Sequence, residues 1–534
     1  MPLNIQERSQ KILQCLCQRT QQSLRTIAAA TGIPKSSVHR HLRTIKQRQR
    51  YPESHLWETK EGGDWLRLLV FGVIYCFGIK GGIGSESLSA FFRLLHLEER
   101  IGCSASALRE LEVQVKEQII AYGQAQAEAS HGEQPIGICV GADETFYGLP
   151  ILVAIELASG FIFSETECEN RTYATWWEQI SGWFNRDQWE CRCLVSDGAK
   201  ALVKLALSGL TCPNLPDVFH LLYALSKSMG SAIARQRVQL QNQQQALQTK
   251  LNADSSAESN SLVQAKITVF QAIQQMLETD HQNYQQSLHA LSQAIHPFNL
   301  NTGESQFGLE LPTMLQVPLQ RLADLSQTYA PTASQAALHR WQRQIPDLSR
   351  TLHAWWQWVI QSLSTQTQDP EIQNWVLSVL LPWVYWHQQT QKTRQPQLKQ
   401  GYQQAAQQAQ ARFLADGFTQ TLHNSEQQQW IDWAIWMCAK FQRTSSAVEG
   451  RNGYLSALHH ANRGFTEQTL KVLTIIHNFD LKREDGTTAA QRLFGKSFPD
   501  LFESVLLQMG ELPRPRRTLK ARKSQKPTVQ AVPA

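Results

Sequence analysis

The chain has 534 residues, of which 42% are hydrophobic and 18% charged, which excludes a disordered or collagen-like chain and favours several globular domains. The longest apolar stretch, residues 68–79, is far shorter than the roughly 20 residues that span a bilayer, so we expect no membrane segment. The net charge is +6, but residues 1–50 carry ten Lys and Arg against Glu7 alone, and residues 514–526 add seven more cations.

Basic ends around an acidic middle indicate binding of a polyanion, since phosphate contacts dominate affinity for DNA. The alternative for the tail, residues 511–534, is that it only aids solubility. The N-terminus has no basic and apolar segment of the kind that directs secretion, so we expect a cytoplasmic, nucleoid-associated protein. The ten cysteines are scattered, which argues against a disulfide framework or a zinc ribbon.

Residues 1–50 have the pattern of a helix-turn-helix domain. Three short helices are predicted over residues 6–18, 24–30 and 35–46, with the turn at Thr31-Gly32. The last helix would pack Val38, Leu42 and Ile45 inward and present polar and basic side chains to a DNA major groove: Lys35, Ser36, Ser37, His39, Arg40 and Arg43. The alternative is an ordinary three-helix bundle with a basic surface.

Residues 51–130 form a second helical unit, either another helix-turn-helix or a linker bundle. From residue 131 the pattern changes to short apolar runs typical of strands. We predict strands at 136–142, 150–157 and 161–164, a helix at 173–184, a strand at 193–196, a helix at 199–207 and a strand at 217–219. This order describes an RNase H-like mixed sheet over residues 131–225.

We predict an all-helical insertion, rich in glutamine, over residues 226–440. Apolar residues repeating at seven over 263–295 predict one arm of a helical hairpin, with 233–251 as the other arm and a polar turn at 254–261. Most of the tryptophans beyond residue 340 are expected in the core. We expect residues 441–510 to form the second part of the RNase H-like core, after the insertion. The predicted fold class is therefore multidomain α+β, with N-terminal helix-turn-helix units, an RNase H-like core and a large all-α insertion.

Three acids occur in a suggestive order: Asp143 and Asp197, each following a strand, and Glu449 at the start of a helix. Two divalent cations about 3.5–4 Å apart, as used in phosphodiester cleavage, need such hard oxygen ligands. Alternatives remain at two positions. Glu144 rather than Asp143 could be the ligand, although alternation puts Asp143 on the face of Gly137 and Gly141, and Ser446-x-x-Glu449 also fits a helix capping box.

The motifs Asp143-Glu144-Thr145, Ser196-Asp197-Gly198 and Ala447-Val448-Glu449-Gly450-Arg451-Asn452 resemble those of the DDE transposases whose RNase H-like core is interrupted by an all-helical insertion. Asp217-Val218-Phe219-His220 also looks like the C/D-x-x-H motif of hAT-like families. The resemblance implies that Asp143, Asp197 and Glu449 bind two Mg²⁺ or Mn²⁺ ions, with Asp217 and His220 close to the site. It also implies a bacterial insertion-sequence type and therefore a bacterial source.

On the last predicted helix, Glu449, Asn452, Gly453 and Ser456 share one face, with small residues for close approach to the sheet. Arg443, Arg451 and Arg463 are candidate phosphate clamps, or else ordinary surface cations. The expected function is a transposase that binds element ends in double-stranded DNA, cleaves them and joins them to target DNA, as a homodimer or higher oligomer. The alternatives are an inactive, transposase-derived DNA-binding regulator and another RNase H-like nuclease.

Overall fold

The computed structural model describes residues 5–18, 22–48, 57, 59–130, 135–184, 188–253, 257–393, 395–461 and 464–515. The chain forms two compact units. The first comprises Met1–Ser130, Ala457–Thr488 and Ser497–Ala534, and the second comprises His131–Ser456 and Ala489–Lys496. Residues 441–510 are therefore divided between the two units. Most of the predicted basic tail, residues 516–534, lies outside the described part of the chain.

The first unit begins with three short helices, α1 (Ile5–Gln18), α2 (Leu24–Thr31) and α3 (Lys35–Arg48). Ser23 caps α2 by accepting the Thr26 amide at 3.2 Å, and Gly32 adopts a left-handed φ of +68° that ends α2. Apolar side chains from all three helices and the turn form one core: Ile12, Ile27, Ile33, Val38 and Ile45. The predicted helix-turn-helix is confirmed.

The remaining helices of the first unit are α4 (Lys60–Val73), which continues as π-helical turns (Ile74–Lys80), α5 (Ser85–Leu94), α6 (Ala105–Ala129), α20 (Glu467–Phe479) and α22 (Leu501–Gln508). Ser104 caps α6 by accepting the Ala107 amide. Gly123 lets α20 approach α6 closely, because a Cβ there would lie 2.6 Å from Ile475. The Tyr122 hydroxyl donates to the Pro499 carbonyl at 2.6 Å and ties the segment before α22 to α6.

One helix in the described part of the chain, Lys60–Lys80, is long and apolar enough to cross a membrane by length and composition alone. Within the molecule 44% of its apolar window is buried. A single helix of this kind is a weak indication of a membrane span, because the core helices of many proteins have the same composition.

The second unit is built on a five-stranded mixed sheet with strand order β3-β2-β1-β4-β5. Its strands are β1 (Ile136–Tyr147), β2 (Leu149–Glu156), β3 (Ile162–Glu167), β4 (Trp189–Ser196) and β5 (Asn214–Pro216). β1, β2 and β3 pair antiparallel, whereas β4 and β5 join the other edge of β1 in parallel. Gly148 and Gly160, both with positive φ, make the turns that separate the first three strands. The α+β class is confirmed.

Two strand predictions need correction. β1 does not stop before Asp143 but runs on to Tyr147, because its second half pairs with β2 from Asp143↔Val153 to Tyr147↔Leu149. Residues 217–219 are not a strand, since Asp217 accepts the Phe219 amide at 2.7 Å and thereby caps a helix. The last strand is the preceding segment Asn214–Pro216, which pairs with β4.

Helices surround the sheet and fill the rest of this unit. They are α7 (Tyr173–Phe184), α8 (Lys200–Lys204), α9 (Val218–Leu225), α10 (Ser231–Ala253), α11 (Ala257–Ala294), α12 (Leu311–Thr328), α13 (Pro331–Gln366), α14 (Pro370–Trp375), α15 (Leu381–Lys392), α16 (Pro396–Ala415), α17 (Gly417–Thr421), α18 (Asn424–Ala439), α19 (Ser446–His460), which ends in the first unit, and α21 (Ala489–Phe494). π-helical turns follow α8 (Leu205–Gly209), α9 (Ser226–Gly230) and α14 (Val376–Leu380).

The predicted helical hairpin is confirmed by α10 and α11, which share a buried core containing Leu240, Leu277 and Tyr284. The polar turn is shorter than expected, because α11 already begins at Ala257, and residues 254–256 lie outside the described part of the chain. Most of the tryptophans beyond residue 340 occupy the core as predicted, although Trp436 is exposed and Trp430 and Trp433 are half-buried. Seven lie on the helices from α13 to α15. Trp383 is half-buried, and the others are buried: Trp341, Trp355, Trp356, Trp358, Trp375 and Trp386.

Candidate functional site

Asp143 and Asp197 lie at corresponding positions on neighbouring parallel strands. Gly141 of β1 pairs with Val195 of β4, and each aspartate stands two residues further along its own strand direction. Adjacent strands are about 4.8 Å apart, so the two backbones bring the acids to the same region of the sheet. This is the placement predicted from the sequence, although Asp143 lies within its strand and not at its end.

Glu449 reaches the same region from α19. The helix can approach the sheet because Gly141 has no side chain: a Cβ there would lie 3.0 Å from Val448 Cγ2 and 2.5 Å from Leu157 Cδ2. Val448 is fully buried, which fixes the helix next to β1. Gly453 does not make this approach, as a Cβ there would meet nothing within 4 Å. The predicted role of Gly453 in close packing is therefore wrong.

Asp217 anchors the start of α19. Its buried carboxylate accepts the Phe219 amide through Oδ1, and through Oδ2 it accepts the Ser445 amide at 3.0 Å and the Ser445 hydroxyl. The Val218 amide donates to the Arg443 carbonyl at 3.0 Å. These bonds join the first turn of α9 to the residues just before α19. They also show why Ser446-x-x-Glu449 is not a capping box, since Ser446 is already inside the helix and Ser445 precedes it.

Three side chains meet at the centre of the site. One ligand atom from each of Asp143, His220 and Glu449 lies within 4.8 Å of the other two. His220 Nε2 is 3.3 Å from Glu449 Oε1 and 3.9 Å from Asp217 Oδ2. Asn452, one turn beyond Glu449, donates its side-chain amide to Asp143 Oδ2 at 3.4 Å. Asp217 and His220 thus lie close to two of the three acids.

The electrostatics of this cluster follow from burial and close packing. Burial raises the pKa of Asp143 to about 7, with the neighbouring Glu449 charge adding to the effect and the Glu144 backbone amide opposing it. Contact with Glu449 raises the pKa of His220 to about 8, and Asp217 contributes in the same direction. The same contact with His220 lowers the pKa of Glu449. Two partly buried carboxylates beside an imidazole and an amide form a donor set that fits a divalent cation.

Asp197 is not part of this central cluster. Its carboxylate accepts the Ala199 amide at 2.8 Å, and its backbone carbonyl accepts the Arg340 guanidinium. The predicted triad is therefore drawn together only in part, with Asp143 and Glu449 close to each other and the Asp197 side chain turned toward the start of α8.

Glu144 takes a separate role on the other face of β1. It forms an ion pair with Arg171, whose guanidinium also lies 5.5 Å from the centre of the Phe146 ring. This agrees with the preference for Asp143 as the ligand. Sequence patterns gave no signal for Arg171 or Arg340, because neither lies in a motif with the acids.

The candidate phosphate clamps have other partners. Arg451 is buried and forms a two-point ion pair with Glu165, with both N–O distances 2.6 Å. Arg443 donates to the Ser292 carbonyl at 2.6 Å. Each guanidinium is thus bonded to an acceptor that the fold brings from a distant part of the chain, and for the buried Arg451 this is contrary to the predicted contact with phosphate. Arg463 lies outside the described residues.

The helix-turn-helix presents the predicted face. Exposed residues on α3 are Lys35, Ser36, His39, Arg40 and Arg43, and Ser37 is half-buried. His41, on the same helix, is buried and lies 3.3 Å from the Ser9 hydroxyl through Nδ1. The cations and hydroxyls thus lie on one side of α3, opposite the core, as DNA contact requires.

Comparison with known families agrees with this domain. The model of the IclR helix-turn-helix domain matches residues 7–48, so the N-terminus carries an IclR-type helix-turn-helix, which is a DNA-binding domain. A family of unknown function, DUF6399, matches residues 376–521, a region that includes Glu449. No curated protein matches the chain.

Proposed function

We propose that the protein is a DNA transposase that binds the ends of a mobile element, cleaves DNA with the help of divalent cations and joins the freed end to target DNA. One observation carries the proposal: Asp143 and Glu449, far apart in the sequence, are held within 4.8 Å beside the strand that bears Asp197. Two partly buried carboxylates held this close repel each other when both are charged, and His220 beside Glu449 offsets only part of this repulsion. A bound cation removes that repulsion.

The sheet supports an RNase H-like core. Three antiparallel strands are followed by a helix, a parallel strand, further helix and a second parallel strand. The long helical segment from α10 to α18 then separates β5 from α19, the helix that carries Glu449. This is the interrupted arrangement implied by the resemblance to DDE transposases.

Divalent Mg²⁺ or Mn²⁺, two ions in the two-metal scheme, would supply the charge that activates a hydroxyl nucleophile and stabilises the leaving oxygen. Asp143 and Glu449 would hold a cation between them, and Asp197, two residues beyond the pairing of Gly141 with Val195, would supply a further carboxylate. Asn452 holds the Asp143 carboxylate by a hydrogen bond. The Asp217–Ser445 bonds keep α19 in register with α9, so that Glu449 keeps its position. Water serves in cleavage and a DNA 3′-hydroxyl in joining.

The DNA-binding head fits the same function. An exposed basic helix would recognise the inverted repeats at the element ends, and the second unit would act on the adjacent phosphodiester bond. Two ends must be held together for joining, so we propose a homodimer or higher oligomer working in the bacterial cytoplasm.

Cleavage of DNA that flanks the coding region tests the proposal. The purified full chain is incubated with this DNA and Mg²⁺ or Mn²⁺, and nicked and joined products are resolved on denaturing gels. We expect Asp197→Asn to abolish both products and to leave DNA affinity unchanged, because the substitution removes a metal-binding charge from the second unit alone. Glu190→Gln, an exposed acid on the same strand β4, is the matched control and should remain active.

A DNA-binding regulator without nuclease activity is the second candidate. The Asp197 carboxylate favours it, since this side chain caps the Ala199 amide and stands apart from the central cluster. Specific binding to the flanking DNA without cleavage in either metal would support the regulator and refute the transposase. Cleavage without joining would point to a different RNase H-like nuclease. Cleavage that survives Asp197→Asn would remove this residue from the site.

A further inference from the structure

We infer that His220 is itself a metal ligand, and that with Asp143 and Glu449 it forms a mixed nitrogen and oxygen site that prefers a first-row transition cation of the Mn²⁺ class over Mg²⁺. The inference deepens the proposed function and rests on it for the use of the site. It differs from the all-carboxylate triad expected from the sequence, which has no reason to discriminate in this way.

The first support is the position of the imidazole. His220 Nε2 lies 3.3 Å from Glu449 Oε1, and a ring nitrogen of His220 lies within 4.8 Å of a carboxylate oxygen of Asp143. Although Nε2 is buried, it has no well-aligned hydrogen bond to any of the described residues. The nitrogen therefore faces both carboxylates without being committed to either by hydrogen-bond geometry.

The second support is that Asp217 holds the two helices that carry His220 and Glu449 in place. Asp217 caps α9, and His220 stands in the first turn of that helix. The other oxygen of Asp217 holds Ser445, immediately before the helix that carries Glu449. One buried carboxylate thus positions both the imidazole and Glu449. Metal sites are commonly organised in this way, with outer residues orienting the ligands.

The third support comes from Asn452. Its side-chain nitrogen donates to Asp143, whereas its side-chain oxygen is buried and has no hydrogen-bond partner among the described residues. An amide oxygen is an acceptable cation ligand. The cluster therefore offers one nitrogen and two carboxylates, and beside them a side-chain amide that is bonded to one of those carboxylates.

The donor types decide the choice of ion. Mg²⁺ prefers oxygen ligands and binds imidazole poorly, whereas Mn²⁺ and the later first-row cations accept nitrogen as well. If His220 only positioned Glu449 or contacted DNA, its removal would leave the relative affinity for the two ions unchanged. Metal selectivity therefore separates a ligand from a positioning residue.

The test measures metal binding directly on the full chain, without DNA. Metal-free protein is titrated with MnCl₂ and with MgCl₂, and free Mn²⁺ is followed by electron paramagnetic resonance. We expect His220→Gln to weaken Mn²⁺ binding roughly tenfold or more while Mg²⁺ binding changes less than about threefold. His353→Gln, an exposed histidine on α13, is the matched control and should leave both affinities unchanged. Spin-echo modulation from a ¹⁴N nucleus should appear with the wild-type chain and Mn²⁺, which tests the ligand without any substitution.

An unchanged ratio of Mn²⁺ to Mg²⁺ affinity in a folded His220→Gln variant, or no ¹⁴N modulation in the wild type, would overturn the inference. The two experiments distinguish failure of the transposase proposal from failure of the metal-ligand inference. DNA cleavage with no His220-dependent selectivity would leave the transposase proposal standing and remove His220 from the ligands. A His220-dependent preference for Mn²⁺ in a protein that never cleaves DNA would establish the metal site and refute the nuclease.

Discussion

Two glycine-to-alanine substitutions near Glu449 should have opposite effects on stability. Gly141 lies under α19, and a Cβ there would be 2.5 Å from Leu157 Cδ2 and 3.0 Å from Val448 Cγ2. Ordinary carbon contacts are about 3.5–4.0 Å, so both buried side chains must retreat. Gly453 lies within α19 in open space, where alanine only improves helix propensity.

The magnitudes follow from these surroundings. Overpacking of a core typically costs about 1–3 kcal/mol, and the reduced entropy of the unfolded chain returns about 0.4–1 kcal/mol. We therefore expect Gly141→Ala to lower the free energy of unfolding by about 1–2 kcal/mol. Gly453→Ala should raise it by about 0.5–1 kcal/mol.

Urea unfolding followed by tryptophan fluorescence is the appropriate assay. The chain has 16 tryptophans, and all except Trp57 and Trp65 belong to the second unit, so the signal reports on the unit that contains both glycines. Equal destabilisation by both substitutions, or a neutral Gly141→Ala, would refute the reasoning that α19 meets the sheet at Gly141 and not through Gly453.

Three other predictions concern the anchors and the DNA-binding face. Asp217→Asn should destabilise the second unit by about 2–3 kcal/mol in the same assay, because an amide cannot accept every bond that the buried carboxylate receives. Arg451→Met should cost about 3–5 kcal/mol, since it removes the two-point ion pair from the buried Glu165 carboxylate, and adding Glu165→Leu should recover much of the loss. Replacing both Arg40 and Arg43, exposed on α3, by alanine should weaken DNA binding and reduce the slope of log affinity against log salt by about 0.9 for each DNA phosphate that the variant no longer neutralises.

The outcomes that contradict these predictions are distinct. A stable Asp217→Asn variant would mean that the bonds before α19 contribute little. A double variant at Arg451 and Glu165 that is no more stable than the single variant would mean that lost packing, and not the lost ion pair, causes the destabilisation. DNA affinity insensitive to Arg40 and Arg43 would mean that α3 is not the DNA-binding helix.

The three-helix head was predictable from the sequence almost residue by residue. Its turn at Gly32, its inward Val38 and Ile45 and its exposed cations all follow from local periodicity and from the glycine needed at positive φ. The strands were less well defined at their ends. Asp143 was expected to terminate β1, but pairing with β2 carries the strand four residues further. Pairing is a property of two segments, and one segment's pattern does not contain it.

The sequence by itself determined where most of the helices and strands form and which acids lie on or directly after strands, because those features depend on neighbours within a few residues. Only the tertiary structure decided which side chains contact each other. It placed His220 next to Glu449, paired Arg451 with Glu165 and directed the Asp197 carboxylate to the Ala199 amide. The first two of these pairings join residues separated by more than two hundred positions. They are set by how closely helices can approach the sheet, which at α19 depends on the missing side chain of Gly141.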